Sequence, residues 1–330
     1  MAQVGFAIVG LGVGASRAEM VTRVPGAKLA CVCDLDESKA KSVAQKLGCD
    51  YYTDYRDMLD RRDVDVVGVL TPSGTHADIG MKAAKAGKHV FTTKPMDISL
   101  EKCDDLIRTA ERQGVLLAVD FQYRYPEENR KAASFISEGG LGRLILSDLR
   151  MKWYREQTYY DSGFPQGWRK DTRFEGGSAA NQGVHFLDLL LWFAGPVKEV
   201  LGRSATVGHE IQTEDLSVAI LTFKDGSWGV IETTTCNYPS LGTTIEITGQ
   251  KGSMVWKDEG VSMLKVKDRP NLSLDDISIE PGPANIIEDM VWALTKGTPV
   301  AVDGPEGRRS VELFTAIYTS SRTRKPVRLG

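Results

Sequence analysis

The chain has 330 residues, and its 41 Lys and Arg against 44 Asp and Glu leave a net charge of −3. It therefore lacks the basic excess that nucleic acid or an anionic membrane surface would call for. The length suggests two domains, and 42% apolar with 26% charged residues is ordinary for a folded soluble chain. No charged N-terminal segment leads into an apolar run with a cleavage site, and no apolar stretch is long enough for a bilayer, so a cytoplasmic protein is expected, with neither nucleic acid nor membrane as partner. Cys31, Cys33, Cys49, Cys103 and Cys236 are odd in number, scattered and without a C-x-x-C pair. They are read as small core residues, with no disulfide framework and no metal site expected.

The chain opens with VGFAIV at 4–9, an apolar run without polar alternation, which suits a parallel strand covered on both faces. Gly10, Gly12 and Ala15 follow as G-x-G-x-x-A. In that fingerprint the first glycine permits a tight turn and the second lets backbone approach a pyrophosphate, while the third small residue allows close helix–strand packing. The helix that begins here turns its unpaired N–H groups toward phosphate. A second apolar strand, KLACVC at 28–33, ends in Asp34, about 20 residues on, where a carboxylate accepts both ribose hydroxyls and so favours NAD over NADP. Asp36 is the alternative ribose ligand, or the N-cap of the helix ESKAKSVAQKLG.

Strand-like CDYY, VDVVGVL, KHVFTT and VLLAVD then alternate with the helical patterns DYRDMLDRR, HADIGMKAAKAG and LEKCDDLIRTAERQG, the last two stopped by Gly87 and Gly114. Such a βαβ series with right-handed crossovers gives a doubly wound parallel sheet, with ligand at the carboxyl ends of its strands. One strand ends in Thr71-Pro72-Ser73-Gly74-Thr75-His76, a turn with accessible backbone groups in which His76 either meets the cofactor or caps the next helix. The next ends in Thr92-Thr93-Lys94-Pro95, which sets a lysine at the mouth of the sheet, where it can hydrogen-bond a substrate hydroxyl and stabilise alkoxide charge.

GLGVGA, CDLDESKA, TPSGTHAD and TKP, followed by QYRY at 122–125 and GGSAANQGVHFLD at 176–188, resemble the glucose–fructose oxidoreductase / inositol dehydrogenase / rhizopine catabolism (Gfo/Idh/MocA) family over nearly the whole chain. The resemblance implies an N-terminal Rossmann domain, taken as residues 1–122, and a C-terminal α/β domain with a large open sheet, taken as 123–330, that serves substrate binding and oligomerisation. It also implies a sugar, sugar acid or cyclitol hydroxyl as substrate, and a homodimer or homotetramer formed through the C-terminal sheet. The family's E-K-P is Thr93-Lys94-Pro95 here, with a cis Lys94–Pro95 bond implied. Its usual aspartate four residues before a histidine is Asn181 before His185, a variation shared by some members. The cofactor contacts expected are Gly10, Gly12, Val13, Gly14, Ala15, Asp34, Thr71, Pro72, Ser73, His76, Thr93, Lys94, Pro95 and Gln122.

In the second half SAANQGVHFLDLLLWFAG reads as a buried helix that ends at Gly195-Pro196 and carries Asn181, His185 and Asp188 on one face. His185 is either a satisfied core histidine or, with Lys94 over one nicotinamide, the base that takes the hydroxyl proton. Asn181 orients substrate or histidine, and Asp188 is favoured as structural. Aromatics and arginines interleave over Trp153–Arg173, from which Tyr154, Tyr160, Trp168 and Arg169, with Arg124 of QYRY, are named as substrate contacts, an interdomain packing loop being the alternative. Strand-like segments follow from Val197 onward, with LTFKDGSWG as a hairpin turning at Asp225-Gly226, and build a mostly antiparallel sheet; two helices close the chain. The resulting expectation is an NAD-dependent dehydrogenase or reductase. An enzyme that retains its NAD for epimerisation, elimination or glycoside cleavage, a nucleotide-sugar dehydrogenase, and a non-catalytic dinucleotide sensor are the alternatives.

Overall fold

The first strands are wholly apolar because both of their faces are covered: β1 (Val4–Val9) is buried at every position and β2 (Ala27–Cys33) at all but one. The computed structural model describes residues 3–330, so Met1 and Ala2 of the expected first domain lie outside the described residues. After β1 come α1 (Gly14–Val21), β2, α2 (Glu37–Leu47), β3 (Asp50–Tyr52), β4 (Val66–Val69), α3 (His76–Lys85), β5 (His89–Thr93), α4 (Leu100–Gln113) and β6 (Leu117–Asp120). The sheet runs in the order β3-β2-β1-β4-β5-β6, parallel throughout. Its order reverses beside β1, which is where a doubly wound fold opens its ligand crevice. DYRDMLDRR forms only a short 3-10 turn at Tyr55–Met58, too brief for the expected helix. Among the described residues no helix is long and apolar enough to cross a membrane.

By packing, the chain divides into one unit that runs to Gln122 and includes Pro283–Arg308, and a second made of Tyr123–Gly282 and Arg309–Gly330. The sequence reading ran its second domain unbroken from 123 to 330. The later stretch returns to the first unit because the Val119 N–H donates to the Val302 carbonyl at 2.9 Å and α8 (Ile286–Lys296) packs on β2 and β6.

The second unit holds α5 (Glu127–Ser137), β7 (Leu144–Lys152), α6 (Gln157–Asp161), α7 (Val184–Ala194), β8 (Val197–Ala205), β9 (Leu216–Phe223), β10 (Trp228–Thr234), β11 (Gly242–Gly249), β12 (Gly252–Lys257) and β13 (Gly260–Val266). Helix α9 (Gly304–Thr323) and β14 (Val327–Arg328) end the chain. The eight-stranded sheet has the order β13-β12-β11-β7-β10-β9-β8-β14, antiparallel except where β7 lies parallel to β10. Strand period 2 separates its faces. Leu149, Met151, Ala219, Leu221, Ile231, Ile245 and Ile247 are buried, and α7 packs against β7 and β11. Leu146, Leu201, Val218, Ile220 and Trp228 are exposed, with Leu201 directly opposite Ile220. The Asp225-Gly226 turn joins β9 to β10 as an antiparallel hairpin, with the Phe223 N–H donating to the Ser227 carbonyl.

Candidate active site

In the first unit, the turn after β1 is fixed at Gly10, whose φ of +86° is left-handed and whose added Cβ would lie 2.6 Å from the Leu70 carbonyl oxygen. Only glycine fits there. Gly12 is exposed, and a Cβ at its position would meet nothing within 4 Å, so its bare backbone faces open space just before the N-terminus of α1. Close helix–strand packing falls on Gly14, not on Ala15 as the fingerprint implied: a Cβ on Gly14 would sit 3.1 Å from Ile8 and 3.3 Å from Leu70, whereas Ala15 is half-buried. Exposed backbone beside a helix N-terminus suits an anion, and the residues present fit the pyrophosphate of a dinucleotide. Asp34 stands at the end of β2 beside this turn. Its Oδ2 accepts the Leu11 N–H at 2.7 Å, its Oδ1 accepts the Asp36 N–H at 3.0 Å, and Lys39 Nζ lies 3.3 Å away. Asp36 is the N-cap of α2 through the Lys39 N–H, the second of the two roles open to it.

The next strand ends are tied together by His76. Its ring is fully buried, with Nε2 2.7 Å from the Thr71 carbonyl oxygen and Nδ1 2.8 Å from that of Pro95. Burial pushes its pKa below the ordinary histidine value, against the pull of the Pro95 and Thr71 carbonyls. A ring engaged on both sides offers no atom to a dinucleotide, so its side chain supports the two loops instead of lining the crevice. Ser73 is buried, Thr71 and Pro72 are half-buried, and the Thr71 hydroxyl meets that of Thr75 at 2.7 Å. The Lys94–Pro95 bond is cis, as the resemblance implied; Thr93 and Lys94 are half-buried, Pro95 is buried and Gln122 exposed. At the end of β6 lies a carboxylate that sequence reasoning passed over. Asp120 is buried and accepts from Arg17 Nε at 2.6 Å. Burial raises its pKa, while the charges of Arg17 and then Lys94 oppose the rise. Its signal was the one that marked Asp34 and Lys94, a charged residue closing an apolar strand.

In the second unit the expected single helix is interrupted. Residues 178–183 form turns and α7 starts only at Val184, because buried Glu214 captures this stretch: its Oε1 accepts the Ala179 N–H at 2.8 Å and its Oε2 the Ser178 hydroxyl at 2.7 Å. Asn181 therefore sits half-buried in a turn, and only His185 and Asp188 share a helical face. Arg124, expected as a substrate contact, is withdrawn into a buried ion pair. It is 4% exposed, and its Nε and Nη2 bond both oxygens of Asp188 (2% exposed) at 2.6 and 2.7 Å, with the guanidinium 4.5 Å from the Trp192 ring centre. Asp188 is thereby structural, the role favoured for it. Tyr160 is likewise withdrawn, buried with its hydroxyl 2.7 Å from that of Thr235.

The remaining named residues fall into separate groups. His185 is half-buried and meets the Tyr123 ring edge-on at 5.6 Å. Arg169 lies 4.4 Å from the ring centre of Trp168 and 4.8 Å from that of Tyr159, whose hydroxyl accepts from Gln182 at 3.2 Å. Arg155 sits over Trp153 and Tyr159 at 5.0 and 5.5 Å. Tyr159, Trp153 and Arg155 lay inside the segment singled out in the sequence but were not named individually. Tyr154 packs apart from this group, edge-on to Tyr238 at 5.1 Å.

A glycine turn that feeds a helix at the switch point of a parallel sheet, an acidic end to the second strand and a lysine at the end of the fifth define a dinucleotide-binding α/β fold. Residues 4–121 match the model of the GFO/IDH/MocA oxidoreductases with their NAD-binding Rossmann fold, and residues 129–255 match the GFO/IDH/MocA C-terminal domain; the chain belongs to this family. It is 27% identical to the scyllo-inositol 2-dehydrogenase (NAD(+)) of Bacillus subtilis, over 99% of this chain and 96% of that one. It is 29% identical to the 2,7-anhydro-N-acetylneuraminate hydratase of Mediterraneibacter gnavus, over 70% of this chain and 62% of that one. The WlbA dehydrogenase of Bordetella pertussis, solved in complex with NADH and UDP-GlcNAcA, superposes with a TM-score of 0.90 at 28% identity, with 99% of each chain covered.

Proposed function

We propose that the protein is an NAD-dependent dehydrogenase or reductase acting on a secondary hydroxyl or ketone of a sugar, sugar acid or cyclitol. The observation that carries this reading is the cationic Lys94 at the carboxyl end of β5, on the strand-end side that also bears the glycine turn and Asp34. Bound nicotinamide supplies the hydride acceptor. Asp34 holds the ribose hydroxyls and sets the preference for NAD. Lys94 donates to the substrate oxygen and lowers the energy of developing alkoxide charge, while His185 takes the hydroxyl proton and returns it in the reverse direction. Asn181, an amide that neither gains nor loses a proton near neutral pH, orients substrate or histidine. The Trp168–Arg169–Tyr159 cluster supplies ring faces and guanidinium donors for sugar hydroxyls or carboxylates.

A panel of sugars, cyclitols and nucleotide-sugar acids incubated with NAD, monitored for NADH, tests the proposal. Turnover with at least one member is expected, falling about 100-fold or more in both Lys94→Ala and His185→Ala, since general acid–base catalysis typically contributes about 10²–10⁴-fold. Full activity in either variant overturns the assignment of that residue. A second reading, in which NAD is retained and recycled, is favoured by the hydratase among the relatives. Solvent isotope appearing at the substrate carbon without net NADH separates it from the first. For assembly, we propose that the exposed apolar face of the second sheet joins copies of this chain. Sedimentation should show a dimer or tetramer that Ile220→Lys with Trp228→Lys converts to monomer, whereas an unchanged assembly counts against that face.

A further inference from the structure

Beyond β8 and β10, the second unit brings together three side chains that the proposed chemistry does not use. His209, in the loop before β9, has Nδ1 3.0 Å from Asp215 Oδ2 and 3.6 Å from Cys236 Sγ, and the three ligand atoms all lie within 4.8 Å of one another. Its other nitrogen, Nε2, lies 2.8 Å from the Arg155 carbonyl oxygen. A carbonyl only accepts, so Nε2 carries the hydrogen. Nδ1 is then the nitrogen turned toward the Asp215 carboxylate and the Cys236 sulfur.

We propose that His209, Asp215 and Cys236 form a binding site for a borderline-soft divalent metal ion such as zinc. Imidazole, carboxylate and thiolate are the donors zinc takes, at about 2.0–2.1, 2.0–2.2 and 2.3 Å. Tetrahedral angles between bonds of those lengths set the S–N edge at about 3.6 Å and the N–O edge at about 3.4 Å. The first matches the distance present, and the second needs Asp215 to withdraw by a few tenths of an ångström. The third edge, from Sγ to the Asp215 carboxylate, lies within 4.8 Å and has to reach about 3.6 Å for the same tetrahedral geometry. The surroundings are those of a supported site. The Nε2–H bond to a backbone carbonyl is the outer bond that metal-bound histidines almost always make. The Asp215 carboxylate is held by the N–H groups of Val207 at 2.7 Å and of Gly208 and His209 at 2.9 Å. The Asp215 carbonyl, toward which Cys236 Sγ points at 3.8 Å, already accepts from the Thr235 N–H and the Thr234 hydroxyl, so the thiol hydrogen is not needed there. Gly208 leaves room for the sulfur, since a Cβ on it would stand 2.6 Å from Sγ. The spacing H-x5-D-x20-C follows no recognised ligand pattern, which is why no metal was expected from the sequence.

The full chain, stripped with chelator and titrated with Co(II), tests this. One equivalent per chain should produce a near-ultraviolet thiolate-to-metal charge-transfer band with tetrahedral ligand-field bands, and zinc should displace it. Cys236→Ser should abolish the charge-transfer band, and His209→Gln should weaken binding by more than the roughly 10–100-fold that loss of an outer partner costs. Both variants should keep the wild-type circular dichroism and NAD affinity. A wild-type protein that takes up no cobalt, or a band that survives in Cys236→Ser, overturns the proposal: in the first case a proton occupies the gap, in the second another cysteine holds the metal. Should Cys236→Ser misfold, the wild type still decides, since zinc but not magnesium should raise its melting temperature.

Discussion

Replacing Asp188 by alanine leaves the Arg124 guanidinium buried at 4% exposure without the carboxylate that accepts from two of its nitrogens. Breaking a buried pair on one side costs about 3–5 kcal/mol, because the surviving charge remains desolvated. In a folding unit of this size each kcal/mol moves the melting temperature by roughly 2–4 °C, so a fall of about 6–20 °C is expected for the second unit. Trp192, whose ring lies 4.5 Å from that guanidinium, reports the transition by fluorescence. The double variant Arg124→Met with Asp188→Leu replaces both charges by apolar groups and should recover most of the loss. A melting temperature within about 2 °C of wild type in Asp188→Ala, or a double variant no more stable than the single one, would refute the assignment of these residues to structure and return Arg124 to the candidates for substrate binding.

Asp34→Ser should narrow the preference for NAD over NADP by at least about tenfold, ~1.4 kcal/mol, in binding titrations; unchanged relative affinities would show that another group reads the ribose. The glycines sort by where a side chain would go. Gly14→Val drives a branched side chain toward Ile8 and Leu70 and should cost about 1–3 kcal/mol by overpacking, whereas Gly12→Val should leave stability nearly unchanged and weaken NAD binding. Equal melting temperatures for the two, measured by calorimetry, would remove the distinction. Asp120 has a folded pKa above its unfolded one, so it favours the folded state at low pH, and that contribution fades as pH rises from the unfolded value, near 4, through the folded value. Removing its cationic partner with Arg17→Met raises the folded value further. The stability lost in urea unfolding as pH rises above the unfolded value should then be larger than in wild type, and parallel losses would contradict the pairing.

Much of the first unit was legible because its signals are local. An uninterrupted apolar run announces β1, and the residues that follow it announce the turn; Asp34 and Lys94 each close such a run. The second unit was harder because its decisive partners are distant in sequence. Arg124 finds Asp188 across 64 positions, and Glu214 bends the stretch around Ser178 from 36 positions away. Strand β7 was missed although it lies in the middle of its sheet. In LILSDLRMK the apolar Ile145 and Leu146 are exposed while Ser147 is buried, so alternation starts in the wrong sense and settles only at Leu149. Asp120 was legible by the rule that found Lys94, and was overlooked.

The lone parallel pairing of β7 with β10 has an evolutionary corollary. Neighbours that run the same way cannot be joined by a tight hairpin, so the chain must make a long excursion between them, and that excursion bears His185, the Trp168–Arg169 group and the His209–Asp215 loop. Loops along it can lengthen, shorten or change composition while the ladder they depart from keeps its alignment. Related chains can thus diverge in what they recognise without having to relearn how to fold.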